Sequence, residues 1–407
     1  MLPEDDVAPS GRIVILGAGY GGLRTAQLLA KNFDGPEHPE IALIDRYDYH
    51  QIITELPEAA SGRISTDEVA LPFDALLKKS GVRFVQAEIE DINFDDRLVT
   101  TSRGIISYGT IVVSLGSVTA FYGIPGLEER ALTLKSVEDA DAIETRIREA
   151  VARAASATTL EEKTGWGSII VGGAGLTGVE LSGEIAELLP SLVKEHGLAP
   201  GIARVLLVEG AAHTLPSFPE RLQAESAHIL SDLGVRLSLG ANVASADDDG
   251  VTLATGDRLV GKTIIWTGGI MAPAILKKAG LPTVRNGQVP VDGYLRIEGH
   301  PEIYVIGDSA RVMDASGEGF LNATAQVAVK QADNVAYNIV ATFNEYAIRQ
   351  YHPSDKGQVV SLGTDSGVAA VLHLPISGRK VLALKKLIAE GYRFDVTGRL
   401  PFGRKRA

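Results

Sequence analysis

Cysteine is absent from all 407 residues. That excludes structural disulfides, thiolate metal sites and every redox mechanism that runs on a thiol, and it leaves the redox compartment open. A surplus of positive charge is also missing. With 39 Lys and Arg against 51 Asp and Glu the formal net charge is −12, so nucleic acid is not expected as the main partner, because phosphate binding needs a basic face. The N-terminus, MLPEDDVAPSG, has neither the positive start nor the apolar centre of a secretory signal, and export is not expected. Nor is there an unbroken apolar run of membrane-spanning length. The longest stretch without charge, Gly104 to Leu127, is long enough to cross a bilayer, but Gly109, Gly116, Gly123, Pro125 and Gly126 interrupt it, and it reads as strand and turns. What remains is a composition of 45% hydrophobic and 22% charged residues, that of a soluble globular protein, over a length that predicts two to three domains.

Against those absences the chain is rich in glycine at particular places. The apolar run Ile13 to Leu16 breaks into Gly17-Ala-Gly19-Tyr-Gly21-Gly22, and Leu23, Ala26, Leu28, Leu29 and Ala30 then recur at helical spacing. A second apolar strand, Ile41 to Ile44, ends on Asp45, a carboxylate 23 residues past the last motif glycine. Strand, glycine turn, helix, strand and terminal acid make a dinucleotide fingerprint. Gly17 permits the tight turn, Gly19 lets the backbone approach a pyrophosphate, Gly22 lets helix and strand pack closely, and Asp45 would take the ribose hydroxyls.

The pattern returns. Ser168 to Val171 leads into Gly172-Gly173-Ala174-Gly175-Leu-Thr-Gly178, a helical run follows through Leu188, and the strand Val205 to Val208 ends on Glu209, 31 residues past Gly178. Gly173, Gly175 and Gly178 take the three glycine roles. Two fingerprints 156 residues apart mean two nucleotide sites, or one duplicated fold with a dead copy. Two occupied sites suggest hydride exchange between a nicotinamide and a flavin, with FAD at the first site and NAD(H) at the second. Glu180, on the first turn of the second motif's helix, either faces the nicotinamide or simply complements the helix dipole. Glu209 would repel a 2′-phosphate, and residues 210 to 215 offer no phosphate clamp beyond His213, so NADH is expected over NADPH.

Between and beyond the motifs, Thr54, Glu55 and Pro57 start a short helical piece in a loop that either lies beside the first site or is a surface connection. Val82 to Thr101 reads as antiparallel strands. Ser136 to Ala157 reads as a helix capped by Ser136. Leu259 to Trp266 reads as one strand running into Thr267-Gly268-Gly269. The strand Ile303 to Ile306 ends in Gly307-Asp308, where the carboxylate either points at a ligand crevice or caps the next segment. Asn322 to Ala341 reads as a helix with Gln326 and Gln331 near its start. From Ser377 onward, nine Lys or Arg face two acids, so the tail carries +7 while residues 1 to 376 carry −19. Within it Val381, Leu384, Leu387 and Ile388 form an apolar stripe among Lys380, Lys385 and Lys386. This basic amphipathic helix, followed by Phe394, Leu400, Phe402 and Arg404-Lys405-Arg406, either lies in a membrane interface or packs on its domain.

Taken together, GAGYGG, DYHQIITELPEAASG, SLGSVTAFYGIPGL, GGAGLTGVELSGE, VIGDSA and AQVAVKQ resemble the type II NADH:quinone oxidoreductases, single-chain respiratory dehydrogenases that pump no protons and belong to the two-dinucleotide-binding-domain flavoproteins. The resemblance runs from about Arg12 to about Phe402. It implies an α/β fold of two Rossmann-like domains, a discontinuous FAD domain (residues 1–125 and 291–345) and an NADH domain (126–290), followed by a quinone- and membrane-associated region (346–407). It implies that Gly17, Gly19, Gly21, Gly22, Asp45, Gly116 and Asp308 bind FAD, with Thr54 near the isoalloxazine. Gly173, Gly175, Gly178, Glu209, Thr267, Gly268 and Gly269 would bind NADH. Glu180 would lie where nicotinamide and quinone sites meet, and Gln326, Gln331, Lys385 and Ile388 would line the quinone pocket. The implied partners are NADH, a menaquinone or ubiquinone, and the cytoplasmic face of the cell membrane as a peripheral protein, with a homodimer left open and no metal. A soluble reductase of a protein electron carrier and a low-turnover flavin-bearing regulatory protein are the competing readings. Disulfide reductases and sulfide:quinone reductases share the fold but need cysteines, which this chain lacks.

Overall fold

The computed structural model describes residues 11–33, 38–354, 356–372 and 374–398. The N-terminal ten residues and the tail residues Leu400, Phe402 and Arg404 to Arg406 lie outside them. The chain divides into two compact units. One holds the described parts of Met1–Gln51, Ala70–Val118 and Ile270–Asp355, and the other Ile52–Val69, Thr119–Gly269 and the described part of Lys356–Ala407.

In the first unit a six-stranded sheet runs in the order Arg296–Ile297, His300–Val305, Thr110–Val113, Arg12–Leu16, Glu40–Asp45, Arg83–Gln86. Every pairing is parallel except that of Arg296–Ile297. Val14, Ile15, Leu16, Leu43, Ile44 and Ile111 to Val113 are wholly buried, which is why these strands read as unbroken apolar runs: a parallel sheet is covered on both faces. Helix Tyr20–Asn32 packs against helix Ala325–Phe343. At the start of the first strand, Arg12 is 1% exposed and its Nε donates to Glu40 at 2.7 Å, with Arg83 on the other oxygen at 3.0 Å. Burial alone would raise the Glu40 pKa, but the two guanidiniums hold it below its ordinary value. The expected antiparallel run from Val82 divides in two. Arg83–Gln86 pairs parallel with Glu40–Asp45, and only Ile89–Asn93, Leu98–Thr101 and Gly104–Ser107 form the antiparallel meander. Alternation looks the same in both cases, so the pairing partner decides.

The second unit repeats the scheme on four parallel strands in the order Arg236–Leu239, Arg204–Glu209, Ser168–Gly172, Thr263–Trp266. The expected strand Leu259 to Trp266 is two strands. Arg258–Val260 belongs to an antiparallel meander with Val243–Asp247 and Gly250–Leu253, and Thr263–Trp266 joins the parallel sheet. Helix Val137–Ser156 begins where its cap predicts, Ser136 accepting from the Asp139 N–H at 3.1 Å. The C-terminal part adds an antiparallel sheet, Gly357–Leu362, Ser366–Val371 and Leu374–Ser377, and then helix Arg379–Thr397.

That last helix corrects the expected stripe. Val381 is wholly buried, but Leu387 and Ile388 are 70% and 54% exposed. The face turned inward carries Val381, Lys385 and Val396, positions that share a side at helical spacing. Lys385 takes an inward position on this helix although it is charged, because Glu180 and Glu58 pair with it. No helix among the described residues is long and apolar enough to cross a membrane.

Candidate functional site

In the first unit the predicted positions Gly17, Gly19, Gly22, Gly116 and Asp308 lie at the carboxyl edge of the six-stranded sheet, where ligands of open α/β sheets sit. Gly17 follows the strand Arg12–Leu16 in the left-handed region at φ +87°, and a Cβ there would stand 2.3 Å from the Ser114 carbonyl oxygen. The Cβ of a residue replacing Gly22 would stand 1.8 Å from the Gly17 carbonyl oxygen, so helix and turn approach only without side chains. One at Gly19 would meet no protein atom within 4 Å; it would fill the hollow before the helix start, whose first N–H groups suit a pyrophosphate. At the ends of the neighbouring strands, Ser117 Oγ donates to Asp308 Oδ2 at 2.7 Å and Ser309 Oγ to the Gly116 carbonyl at 2.9 Å. Gln331 differs from the expectation of a pocket-lining residue. It is 1% exposed and its Oε1 accepts from the Gly307 N–H at 2.6 Å, which anchors the Gly307-Asp308 turn instead. Gln326 is half-buried on the first turn of the same helix, Ala325–Phe343, capped by Thr324.

The second turn has the same build. Gly173 has φ +99°, a Cβ at Gly178 would stand 1.8 Å from the Gly173 carbonyl oxygen, and one at Gly175 would meet nothing within 4 Å. Thr267 Oγ1 donates to the carbonyls of Gly172 and Gly173 at 2.9 and 3.1 Å, and a Cβ at Gly268 would strike the Trp266 ring at 2.4 Å. The terminal acids do something spacing did not reveal. Asp45 Oδ2 accepts from the Ala18 N–H at 2.6 Å and Oδ1 from the Tyr47 N–H at 3.0 Å, while Glu209 accepts from Ala174 and Ala211 at 2.6 and 2.8 Å. Each therefore ties its glycine turn to the neighbouring strand, with carboxylate lone pairs left over for ribose hydroxyls. Burial raises the Asp45 pKa, and these N–H bonds oppose it.

The second unit also holds a cluster of buried charges. On helix Leu176–Glu195, Glu180, Glu184 and Glu187 fall on one face at i, i+4 and i+7. Glu180 Oε1 accepts from Lys385 Nζ at 2.7 Å, from the Ser361 N–H at 2.8 Å and from Ser361 Oγ at 3.1 Å. Lys385 also reaches Glu58 at 3.4 Å. Glu184 receives both Arg63 Nε and Nη2 at 2.6 Å, and Arg393 pairs with Glu55. Burial works against the Lys385 ammonium, yet Glu180 and Glu58 carry its pKa above the ordinary lysine value. Burial likewise pushes Glu184 and Glu55 upward, opposed by Arg63 and Arg393. Two expected site residues, Glu180 and Lys385, are thus brought together 205 positions apart in sequence. Sequence reading missed Glu55, Glu58, Arg63, Glu184, Ser361 and Arg393. The spacing of the three glutamates on one helix was the available signal; nothing local marks the other members. Thr54 stands exposed on the short turn Ile53–Glu55 beside this cluster's glutamates.

These two turns and their acids define a class. Residues 11–332 match the pyridine nucleotide-disulphide oxidoreductase family, and the chain belongs to it, although it holds no cysteine for the disulphide of that name. Within the class the chain belongs to the type II NADH:quinone oxidoreductases. It is 33% identical over 390 residues to the type II NADH:quinone oxidoreductase of Staphylococcus aureus (strain bovine RF122 / ET3-1), covering 95% of this chain and 96% of the relative. Among solved structures, NDH2 from Plasmodium falciparum in complex with NADH is similar at a TM-score of 0.84, with 19% identity and 94% of each chain covered. The sulfide:quinone oxidoreductase of Aquifex aeolicus reaches 0.76, with 18% identity over 95% of this chain and 91% of that one. At those identities the likeness is one of fold.

Proposed function

We propose that this chain oxidises NADH and reduces a membrane quinone, with FAD held at the first glycine turn and NADH at the second. The observation that carries this reading is the pair of like-built turns, each with a left-handed first glycine, a third glycine that no Cβ could replace without meeting the turn's carbonyl, and a carboxylate that closes it. FAD, when bound, supplies the capacity to accept a hydride and return its electrons to a quinone. The protein's own work is binding and orientation. Gly17, Gly19, Gly21, Gly22, Asp45, Gly116 and Asp308 hold the flavin nucleotide, and Gly173, Gly175, Gly178, Glu209 and Thr267 to Gly269 hold NADH. Glu180 borders the nicotinamide, its charge balanced by Lys385. Lys385 and Ile388 line the quinone site in the second unit. The first unit is then the FAD domain and the second the NADH domain.

The helix Arg379–Thr397 turns Leu387, Ile388 and Phe394 outward at 70%, 54% and 42% exposure, and the sheet it packs on exposes Leu374 at 64%. With Lys380 and Lys386 exposed beside them, this face suits the interface of an anionic membrane, the apolar residues entering it and the lysines meeting headgroups.

The test is NADH consumption with short-chain ubiquinone and menaquinone analogues, ferricyanide and a protein carrier, with and without anionic vesicles. The expected result is quinone reduction, together with vesicle binding that Leu387→Glu with Ile388→Glu abolishes. NADH turnover with ferricyanide or the carrier but with neither quinone would overturn the reading.

A further inference from the structure

The two glycine turns match in conformation but not in how one carbonyl is held. Both have a left-handed first glycine, at φ +87° and +99°, and both begin their helix at an extended glycine, Gly19 at φ −66°, ψ −164° and Gly175 at φ −74°, ψ −169°. In both, the alanine between these glycines gives its N–H to the terminal acid at 2.6 Å. The carbonyl of that alanine is where they part. Ala174 accepts from a main-chain donor, the Leu215 N–H, at 2.8 Å. Ala18, 2% exposed, lies 3.1 Å from a side-chain nitrogen, Nδ1 of His50.

His50 belongs to the strand Tyr49–Gln51, where it lies opposite Leu71. It is wholly buried, with the Tyr20 ring set edge-on at 5.1 Å and 80°. A carbonyl oxygen can only accept, so Nδ1 must carry the hydrogen. Burial holds the imidazole neutral by depressing its pKa to about 4. The bond fixes more than one oxygen. In a trans peptide the C=O and N–H point in opposite directions, so holding the Ala18 carbonyl aims the Gly19 N–H the other way, and Gly19 is where the helix begins.

We propose that His50 is a positioning residue of the first dinucleotide site, its Nδ1–H setting the Ala18–Gly19 peptide that faces the pyrophosphate, a task done at the second site by the Leu215 main chain. This rests on the reading that the first turn holds FAD. A buried carbonyl stripped of its donor is costly, and here that cost falls on the peptide nearest the ligand.

The experiment follows flavin release from the holoenzyme on dilution, by the rise in flavin fluorescence, together with the NADH concentration that half-saturates bleaching of the bound flavin. His50→Leu, which removes the donor, is expected to release FAD about ten-fold faster while half-saturation by NADH stays within about two-fold. His50→Asn, whose side-chain amide can donate from nearly the Nδ1 position, is expected to restore most of the retention. His50→Phe keeps a ring against Tyr20 without a donor and provides the same contrast if leucine packs badly. Donor-free variants that keep FAD as the parent does, that lose NADH affinity equally, or that are no worse than His50→Asn would overturn the proposal. A parent protein that binds no flavin would instead overturn the reading of the first turn.

Discussion

Arg24 and Glu180 stand at the same place in their motifs, two residues past the third glycine, and each reaches across to a long helix distant in sequence. Arg24 meets Asp333 at 2.9 Å, and both side chains are about 30% exposed. Glu180 meets Lys385 at 2.7 Å, with side chains 9% and 16% exposed and Ser361 satisfying the same carboxylate oxygen. One motif thus yields a surface pair in the first unit and a buried one in the second, because the sheet strand Gly357–Leu362 packs on the second motif's helix and Lys385 reaches it from helix Arg379–Thr397. The lesson is that a fingerprint sets backbone geometry at a dinucleotide turn but leaves the electrical surroundings of its helix to whatever packs there.

The sharpest way to separate the two turns is to block each in turn. Gly22→Ala places a methyl against the Gly17 carbonyl and is expected to give protein without flavin. Gly178→Ala does the same against Gly173 and is expected to leave the flavin in place while raising the NADH requirement more than about 100-fold, since a misplaced turn forfeits several hydrogen bonds. Flavin absorbance of the purified variants and anaerobic NADH titration check both; a Gly22→Ala protein as yellow as the parent contradicts the assignment of the first turn.

The charge pairs come next. Lys385→Met strands Glu180 in a buried site and is expected to cost about 3 kcal/mol in denaturant unfolding, whereas Arg24→Ala, at a half-exposed pair, is expected to cost less than about 1 kcal/mol. Equal losses would show that burial is not what distinguishes the two positions.

The smallest effect concerns the second acid. NADH is expected over NADPH by at least about 10-fold in kcat/KM, since a 2′-phosphate would meet the Glu209 charge. Glu209→Gln should narrow that ratio. The structure adds a cost for NADH as well, because both carboxylate oxygens accept main-chain N–H groups and an amide can accept through only one of them. Equal use of both cofactors by the unmutated chain would remove Glu209 from the ribose site.

Much of the site was legible one residue at a time. Gly17, Gly22, Gly173 and Gly178 are dictated locally, since the left-handed turn and the contact of helix with turn leave no room for a Cβ. Apolar runs such as Ile13 to Leu16 and Ile169 to Val171 announce a sheet covered on both faces. Gln331 was misplaced for the opposite reason: a glutamine near a helix start reads the same whether it faces a ligand or holds the Gly307 N–H. The inward place of Lys385 was illegible likewise, since a lysine that is buried by its partners cannot be told from a solvated one by periodicity.

By itself, then, the sequence determined the two glycine turns, their order, the acids that close them and the absence of any thiol chemistry, because each depends on steric and chemical properties of residues that are near neighbours in the chain. Only the tertiary structure decided that Asp45 and Glu209 latch their turns, that His50 holds a carbonyl that a main-chain donor holds elsewhere, and that Glu58, Glu180 and Lys385 form one buried cluster. Those contacts join groups separated by tens to hundreds of positions, and their strength comes from burial, which no local pattern of residues encodes.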